Sequence, residues 1–328
     1  MKMVKVFFAK NLKWFTILFF GLLAVLPFFM TSNYGMRMLT VCMLYVMMAF
    51  SLNLLTGFLG VMTIGHIAFM GIGAYTAAIL VKNYHWETLP CYLAAILLSG
   101  FFGLLLSLAA LKLQGYYMTI LTLGFCEIVR LVEINWESLT RGALGISGIS
   151  APVFFGIRLS SRRSIYYLML VLLILTLLLI WSIINSKAGN AIMAIREDEL
   201  AARAMGIHVF KYKTIVFVLS AMIMGLAGAF YAQYMTYIDP GVFTVSASLN
   251  ILIMAIFGGL GNLLGTIIGA SVLTILPEMI RFLAEYRNLI YGILIIILML
   301  VKPDGLLGSV NFKYIRQQAS VQKENGGE

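Results

Sequence analysis

The residues best equipped for chemistry gather between positions 187 and 213, KAGNAIMAIREDELAARAMGIHVFKYK. Lys187, Arg196, Glu197, Asp198, Glu199, Arg203, Lys211 and Lys213 share this one segment of an otherwise apolar chain. The pattern predicts two short helices. Gly189-Asn190 is placed to start the first, and Ile192 and Ile195 give it an apolar edge at three-residue spacing. Asp198 is placed to cap the second, with Glu199 near the positive end of its dipole. Glu199 and Arg203 stand four apart in the favourable order, a pair worth about 0.2–0.5 kcal/mol when exposed. Gly206 suits a left-handed helix end, with Ile207 following. Short amphipathic helices of this kind fit a membrane surface or a groove in another protein.

Other reactive side chains are few. Glu127 and Arg130 are three apart, on one face of an apolar stretch, and ionisable groups at that depth require a partner or a cavity. Pairing with each other is the leading account, and Glu127 stands nearly alone as an acid in the apolar runs. His66, between Gly65 and Ile67, has no second His, Asp, Glu or Cys at ligand spacing, so it reads as a packing or gating residue and no metal site is expected. Cys42, Cys91 and Cys126 lie in or beside apolar runs without a CxxC pair and read as small buried hydrophobes. No HExxH, GxSxG, paired Asp or GxxxxGK[ST] occurs, and the Gly-x-Gly at 71–73 lies inside an apolar run. Nothing here predicts catalysis or nucleotide binding by this chain.

The elements that must position these residues follow from composition. Hydrophobic residues are 62% and charged residues 11% of the 328, too apolar for a soluble interior of this size to hide. Long runs such as Tyr166 to Trp181 lack period-2 alternation, so the expected class is an all-α polytopic membrane protein. Apolar stretches fall at 14–31, 37–55, 63–81, 90–111, 115–133, 164–185, 213–236, 248–265, 266–280 and 288–301, about ten spans. The two before Arg281 are short enough to be half-helices or a broken hairpin. The run from Phe15 to Met30, behind Lys2, Lys5, Lys10 and Lys13, lacks a small-residue cleavage site and reads as an uncleaved first span.

Lys and Arg favour the side holding residues 1–13, the 187–213 loop and the tail 302–328, which predicts cytoplasmic N- and C-termini around a 14–301 permeation domain. Excess positive charge, 23 Lys and Arg against 13 Asp and Glu, thus reads as orientation and not as a nucleic-acid surface. The 134–163 loop falls outside, where Trp136 suits the lipid boundary; a docked soluble partner and an ordered connector are equally compatible with it. Gly57, Gly60, Gly65, Gly71 and Gly73 in one half, and Gly258, Gly259 and Gly261 in the other, predict close helix packing or helix breaks. Their placement hints at two pseudo-repeated halves of five helices.

Several blocks together resemble one family: NLLTGFLGVMTIGHIAFMGIGAYTAAIL at 53–80, LQGYYMTILTLGFCEIVRLV at 113–132, NWESLTRGALGISGI at 135–149, AIREDELAARAMGI at 194–207, FGGLGNLLGTIIGA at 257–270 and KPDGLLG at 302–308. They resemble the M-type permeases of ATP-binding-cassette importers for branched-chain amino acids. The resemblance implies a bacterial inner-membrane subunit, a second H-type permease, and two cytoplasmic ATPases that hold the ATP and magnesium. It also implies a periplasmic binding protein delivering Leu, Ile or Val. The 187–213 loop would be the coupling loop, carried by Ile195, Arg196, Asp198, Glu199, Ala201, Ala202, Arg203 and Gly206. Ala201, Ala202 and Gly206 match the wider family's Glu-Ala-Ala, three residues, Gly signature; Leu200 stands where its glutamate belongs.

A path for such a solute calls for weakly polar, uncharged groups. Asn53, Thr56, Thr63, His66, Tyr75, Thr119, Thr122, Ser220, Tyr231, Gln233 and Asn250 are the candidates, each also able to serve as a packing hydrogen bonder. The main rival, an ion-coupled secondary transporter, calls for a buried acidic cluster that the sequence does not display.

Overall fold

The computed structural model describes residues 32–110 and 116–279, with scattered positions at 21–27 and 289–308. The expected first and last spans, the short N-terminal and C-terminal tails, and Arg281, Glu285 and Arg287 lie wholly or largely outside these residues.

The described chain is helical almost throughout. Helices α1 (Asn33–Asn53), α2 (Ile67–Tyr84), α3 (Thr88–Ala110) and α4 (Tyr116–Asn135) come first, followed by a single turn, α5 (Glu137–Thr140). After a loop come α6 (Arg162–Asn185), the short α7 (Lys187–Glu197) and α8 (Glu199–Ala204), then α9 (Val209–Met235), α10 (Val245–Gly258) and α11 (Leu263–Met279). Among the described residues, five segments are long and apolar enough to cross a membrane: Asn33–Phe58, Ile67–Tyr84, Thr88–Ala109, Arg162–Asn185 and Val209–Met235. Helices α10 and α11 are apolar but shorter.

Two packing groups are visible. Helix α9 lies along α2 and α3, while α10 and α11 pack on each other and on α1, which also carries α6. Small residues make the first group tight. A Cβ on Gly73 would run into the backbone of Gly225, and one on Gly228 into the Met70 carbonyl, so α2 and α9 touch main chain to main chain. Gly258 and Gly265 bring α10 and α11 together in the same way.

The 134–163 segment carries short strands. Strand β1 (Ile146–Ser147) pairs antiparallel with β4 (Tyr237–Ile238), and β2 (Val153–Phe154) with β3 (Ile157–Arg158). Phe155 and Gly156 turn the second pair with φ of 50° and 77°, and the Glu87 carboxylate accepts both their amides at 3.2 Å.

Three expectations are corrected. The break between α10 and α11 lies at residues 259–262, among the glycines expected to break the helix, and only the boundary between the two apolar stretches moves from 265–266, because the Asn262 Oδ1 accepts the amides of Leu264 and Gly265 at 3.1 and 3.2 Å and so starts α11 earlier. Helix α7 begins at Lys187 and not at Gly189-Asn190, since Ser186 Oγ accepts the Gly189 amide. Glu127 is not nearly alone: Glu133, on the same helix, is 4% exposed.

Candidate functional site

The 187–213 segment hangs between α6 and α9, and its own residues shape it. Asp198 accepts from the amides of Leu200 and Ala201 at 2.8 and 3.0 Å, which starts α8. The helix ends on Gly206, φ +80°, whose amide reaches the Arg203 carbonyl while Ile207 reaches that of Ala202. These two bonds are the paired closure that a left-handed terminal glycine makes possible. Ile192, Ile195 and Ala202 are buried, while Leu200 is 77% exposed, so the residue that departs from the family signature is presented outward.

Glu199 gathers two cations: Arg203 Nη2 at 2.6 Å and Lys213 Nζ at 2.6 Å. Partial burial raises the Glu199 carboxyl, but the hydrogen bonds and charges of Lys213 and Arg203 outweigh that and hold it below the usual carboxylate range. Lys213 belongs to the first turns of α9, so the pair ties α8 to the following long helix.

Arg196 joins this segment to the helical bundle. A Cβ on Gly60 would stand 3.0 Å from Arg196 Cγ, and one on Gly261 2.6 Å from its Nη1. Both glycines have positive φ, +80° and +78°, and their missing side chains leave the room into which the arginine settles. Gly60 follows the widened π-helical turn Leu54–Phe58 that ends α1; Gly261 lies in the turn between α10 and α11. Asn53 fastens these two turns. Its Nδ2 donates to Thr266 Oγ1 at 2.6 Å and to the Asn262 carbonyl at 3.4 Å, and its Oδ1 accepts the Gly261 amide at 2.9 Å. Gly57 lies against the same Asn53 side chain, and Gly259 against the chain at Gly308.

A second fastening joins the two packing groups. His66 Nε2 lies 2.8 Å from Ser51 Oγ and 2.9 Å from Ser220 Oγ. Ser51 donates to the Ser220 carbonyl, and Ser220 donates to that of Ser51, each at 2.6 Å. All three residues are buried, with the ring edge-on to Phe69 at 5.4 Å.

Of the other uncharged candidates, Thr56, Thr63, Tyr75, Thr122 and Gln233 are buried, whereas Thr119, Tyr231 and Asn250 are half-buried. Thr122 donates to the Thr119 carbonyl and Thr119 to that of Met62. Gln233 donates to Thr88 at 3.2 Å. The hydroxyls of Thr56, Thr63 and Tyr75 have no hydrogen-bond partner among the described residues. Tyr75 and Tyr231 both pack edge-on against Phe243. Gly65 is pressed on the Thr122 carbonyl, and Gly71 on Glu133.

Glu127 and Arg130 pair within α4, Nε donating to Oε2 at 2.9 Å. Glu133 differs: neither of its buried oxygens has a hydrogen-bond partner among the described residues. Its place near Asn135-Trp136 makes it look like a boundary charge in the sequence. Helix α4 runs on to Asn135, however, and α5 folds back so that Thr140 Oγ1 donates to the Glu133 carbonyl at 2.7 Å. No group of His, Cys, Asp and Glu among the described residues is arranged to hold a metal.

A bundle of membrane-length helices, broken at glycine turns and carrying one polar segment fastened to those turns, defines a polytopic membrane permease. The chain belongs to the family of permease components of branched-chain amino acid transport systems, whose model matches residues 35–299. It is similar to the high-affinity branched-chain amino acid transport system permease protein LivM of Salmonella typhimurium, 33% identical over 85% of this chain and 71% of the relative. It is likewise similar to LivM of Escherichia coli, 33% identical over 87% and 72%. The high-affinity branched-chain amino acid transport system permease protein LivH of Salmonella typhimurium is 21% identical over 80% of this chain and 91% of its own length. No solved structure matches.

Proposed function

We propose that this chain is the permease subunit through which leucine, isoleucine and valine enter a bacterial cytoplasm by alternating access, and that its 187–213 segment docks on a cytoplasmic ATPase. Family membership supports the permease role, and similarity to both LivM and LivH supports pairing with a second, H-type permease. Two ATPases supply the ATP and magnesium, and a periplasmic binding protein supplies the solute. The chain crosses the inner membrane ten times in two pseudo-repeated halves, with both termini in the cytoplasm. The uncharged polar residues from Asn53 to Asn250 are the candidates for lining the path.

One observation carries the coupling role: Arg196, on the segment that would meet the ATPase, lies against both Gly60 and Gly261. A displacement of α7 is therefore passed to the end of α1 and to the α10–α11 turn together. Transmission through a packed contact with two arrangements is what alternating access requires. The ion-coupled alternative gains nothing from the buried acids, since Glu127 is paired with Arg130 and Glu133 lies in no group of acids or other ligands among the described residues.

The test is Gly206→Trp. A side chain at φ +80° is strained, and the indole would lie on the docking face. Leucine uptake into vesicles carrying the complete complex is expected to fall at least tenfold while the complex still assembles. Full uptake by an assembled Gly206→Trp complex would remove the docking reading.

A further inference from the structure

At the end of the bundle opposite the 187–213 segment, the first turns of α1 and α6 and the last turn of α9 enclose a cavity of about 520 Å³. That volume falls within the roughly 300–1,000 Å³ usual for small-molecule sites. Its lining holds the polar Arg37, Arg162 and Tyr234 together with the apolar Met36, Ile165 and Met235. Neither guanidinium forms an ion pair among the described residues. The backbone adds to their field. Ser32 and Ser161 precede α1 and α6 without capping them through their side chains, so the positive ends of two long helices open on the same cavity. Beside it, Tyr34, another lining residue, donates to Glu278 Oε1 at 2.7 Å.

Two guanidiniums without an ion pair among the described residues call for an oxyanion, ideally a carboxylate or phosphate. The apolar lining residues call for an apolar body on the same molecule, and Glu278 offers a carboxylate one tyrosine away. An apolar α-amino acid presents all three complements at once. We propose that this cavity is an entry site for such an amino acid, its carboxylate held by Arg37 and Arg162, its side chain against Met36, Ile165 and Met235, and its ammonium turned toward Glu278. The proposal rests on the transport reading above and names a site ahead of the glycine turns, at the far end of α9 from Lys213.

The experiment uses the whole importer, permease pair, ATPases and binding protein, in vesicles of phosphatidylcholine with or without phosphatidylglycerol. Initial leucine uptake at limiting loaded binding protein is compared for wild type, Arg37→Gln, Arg162→Gln and the corresponding lysine variants. Assembly is followed by size-exclusion chromatography and binding-protein docking by co-sedimentation. Each glutamine variant is expected to lose roughly tenfold in uptake, with partial recovery by lysine, in both kinds of vesicle and with docking intact. A loss confined to vesicles with phosphatidylglycerol would assign the cavity to a lipid phosphate, and lost docking would assign the arginines to the binding protein; either overturns the proposal, as does unchanged uptake. A wild-type complex that moves none of the three amino acids overturns the transport reading, and this site with it.

Discussion

Asn53→Leu tests the contact between the polar segment and the bundle most directly. The substitution keeps the side chain's bulk and removes every polar atom from the site. Asn53 is buried and satisfies the amide of Gly261 at 2.9 Å. Orphaning that amide costs about 1–3 kcal/mol. Thr266 loses a donor from Asn53 but keeps its own bond to the Asn262 carbonyl at 2.8 Å, so its share is about 1 kcal/mol or less. The sum, roughly 1–4 kcal/mol, falls on the α10–α11 turn against which Arg196 lies. The expected result is a lower thermal midpoint of the solubilised complex. Below that midpoint, ATP hydrolysis should continue while uptake per hydrolysed ATP drops severalfold. Asn53→Asp, which retains an acceptor for Gly261 but places a charge beside it, should be at least as damaging. A destabilised Asn53→Leu complex that couples hydrolysis to uptake at the wild-type ratio would refute the reasoning, leaving the turn a packing feature.

Three further outcomes are expected. The Glu199 carboxyl is depressed in the folded chain, so its pairs with Lys213 and Arg203 contribute in full above the ordinary glutamate value of about 4.3 and fade as pH falls through the lower folded value. Because Glu199 and Arg203 are substantially exposed, the contribution is about 0.3–1 kcal/mol; Glu199→Gln should lower the thermal midpoint at pH 7, and the gap from wild type should close in acid. Glu133→Leu should raise stability by about 1–3 kcal/mol, since it removes a buried carboxylate with neither oxygen satisfied; a lower melting midpoint would mean that the carboxylate has a partner in the working complex. Ser51→Cys with Ser220→Cys, whose parent oxygens are 3.4 Å apart, should form a disulfide under oxidation that blocks uptake, with reduction restoring it; transport through the cross-linked form would show that α1 and α9 do not part.

What could be read from the sequence was mostly local. Asp198 capping α8, Glu199 meeting Arg203 and Gly206 closing the helix all lie within one or two turns, where spacing alone decides geometry. The apolar runs likewise located every described membrane-length helix, because hydropathy over about twenty residues is an averaged quantity that single residues do not upset. The illegible part depends on tertiary return. Lys213 reaches Glu199 across 14 residues, and Asn53 reaches Thr266 across 213; no periodicity connects such positions. Arg196 was legible as a loop cation, but not its place over Gly60 and Gly261, since each turn reads only as a glycine cluster. The strands β1 and β4 are two residues each, too short for an alternating pattern to register.

The positions of the two fastenings bear on how the bundle can move. Asn53 binds the end of α1 to the α10–α11 turn, entirely within one packing group, and therefore keeps that group rigid where Arg196 lies against it. Ser51, two residues earlier on α1, faces Ser220 on α9 and His66 ahead of α2, and so bridges to the other group. The group of α1, α10 and α11 is thus tied internally by an amide side chain, with little tolerance for displacement. The boundary is held by two hydroxyls and one imidazole, groups that can exchange donors and acceptors as they slide. Helix α9 enters the boundary from Val209, beside the polar segment, and continues to Met235 at the basic cavity, a length of roughly 40 Å at 1.5 Å per residue. Its main-chain contacts with α2 oblige it to carry α2 along. A push delivered at Arg196 and at the Glu199–Lys213 pair therefore reaches the two groups at different points, that of α1, α10 and α11 at the glycine turns and that of α2, α3 and α9 at the foot of α9. The Ser51–His66–Ser220 contact is where their relative motion would be felt first.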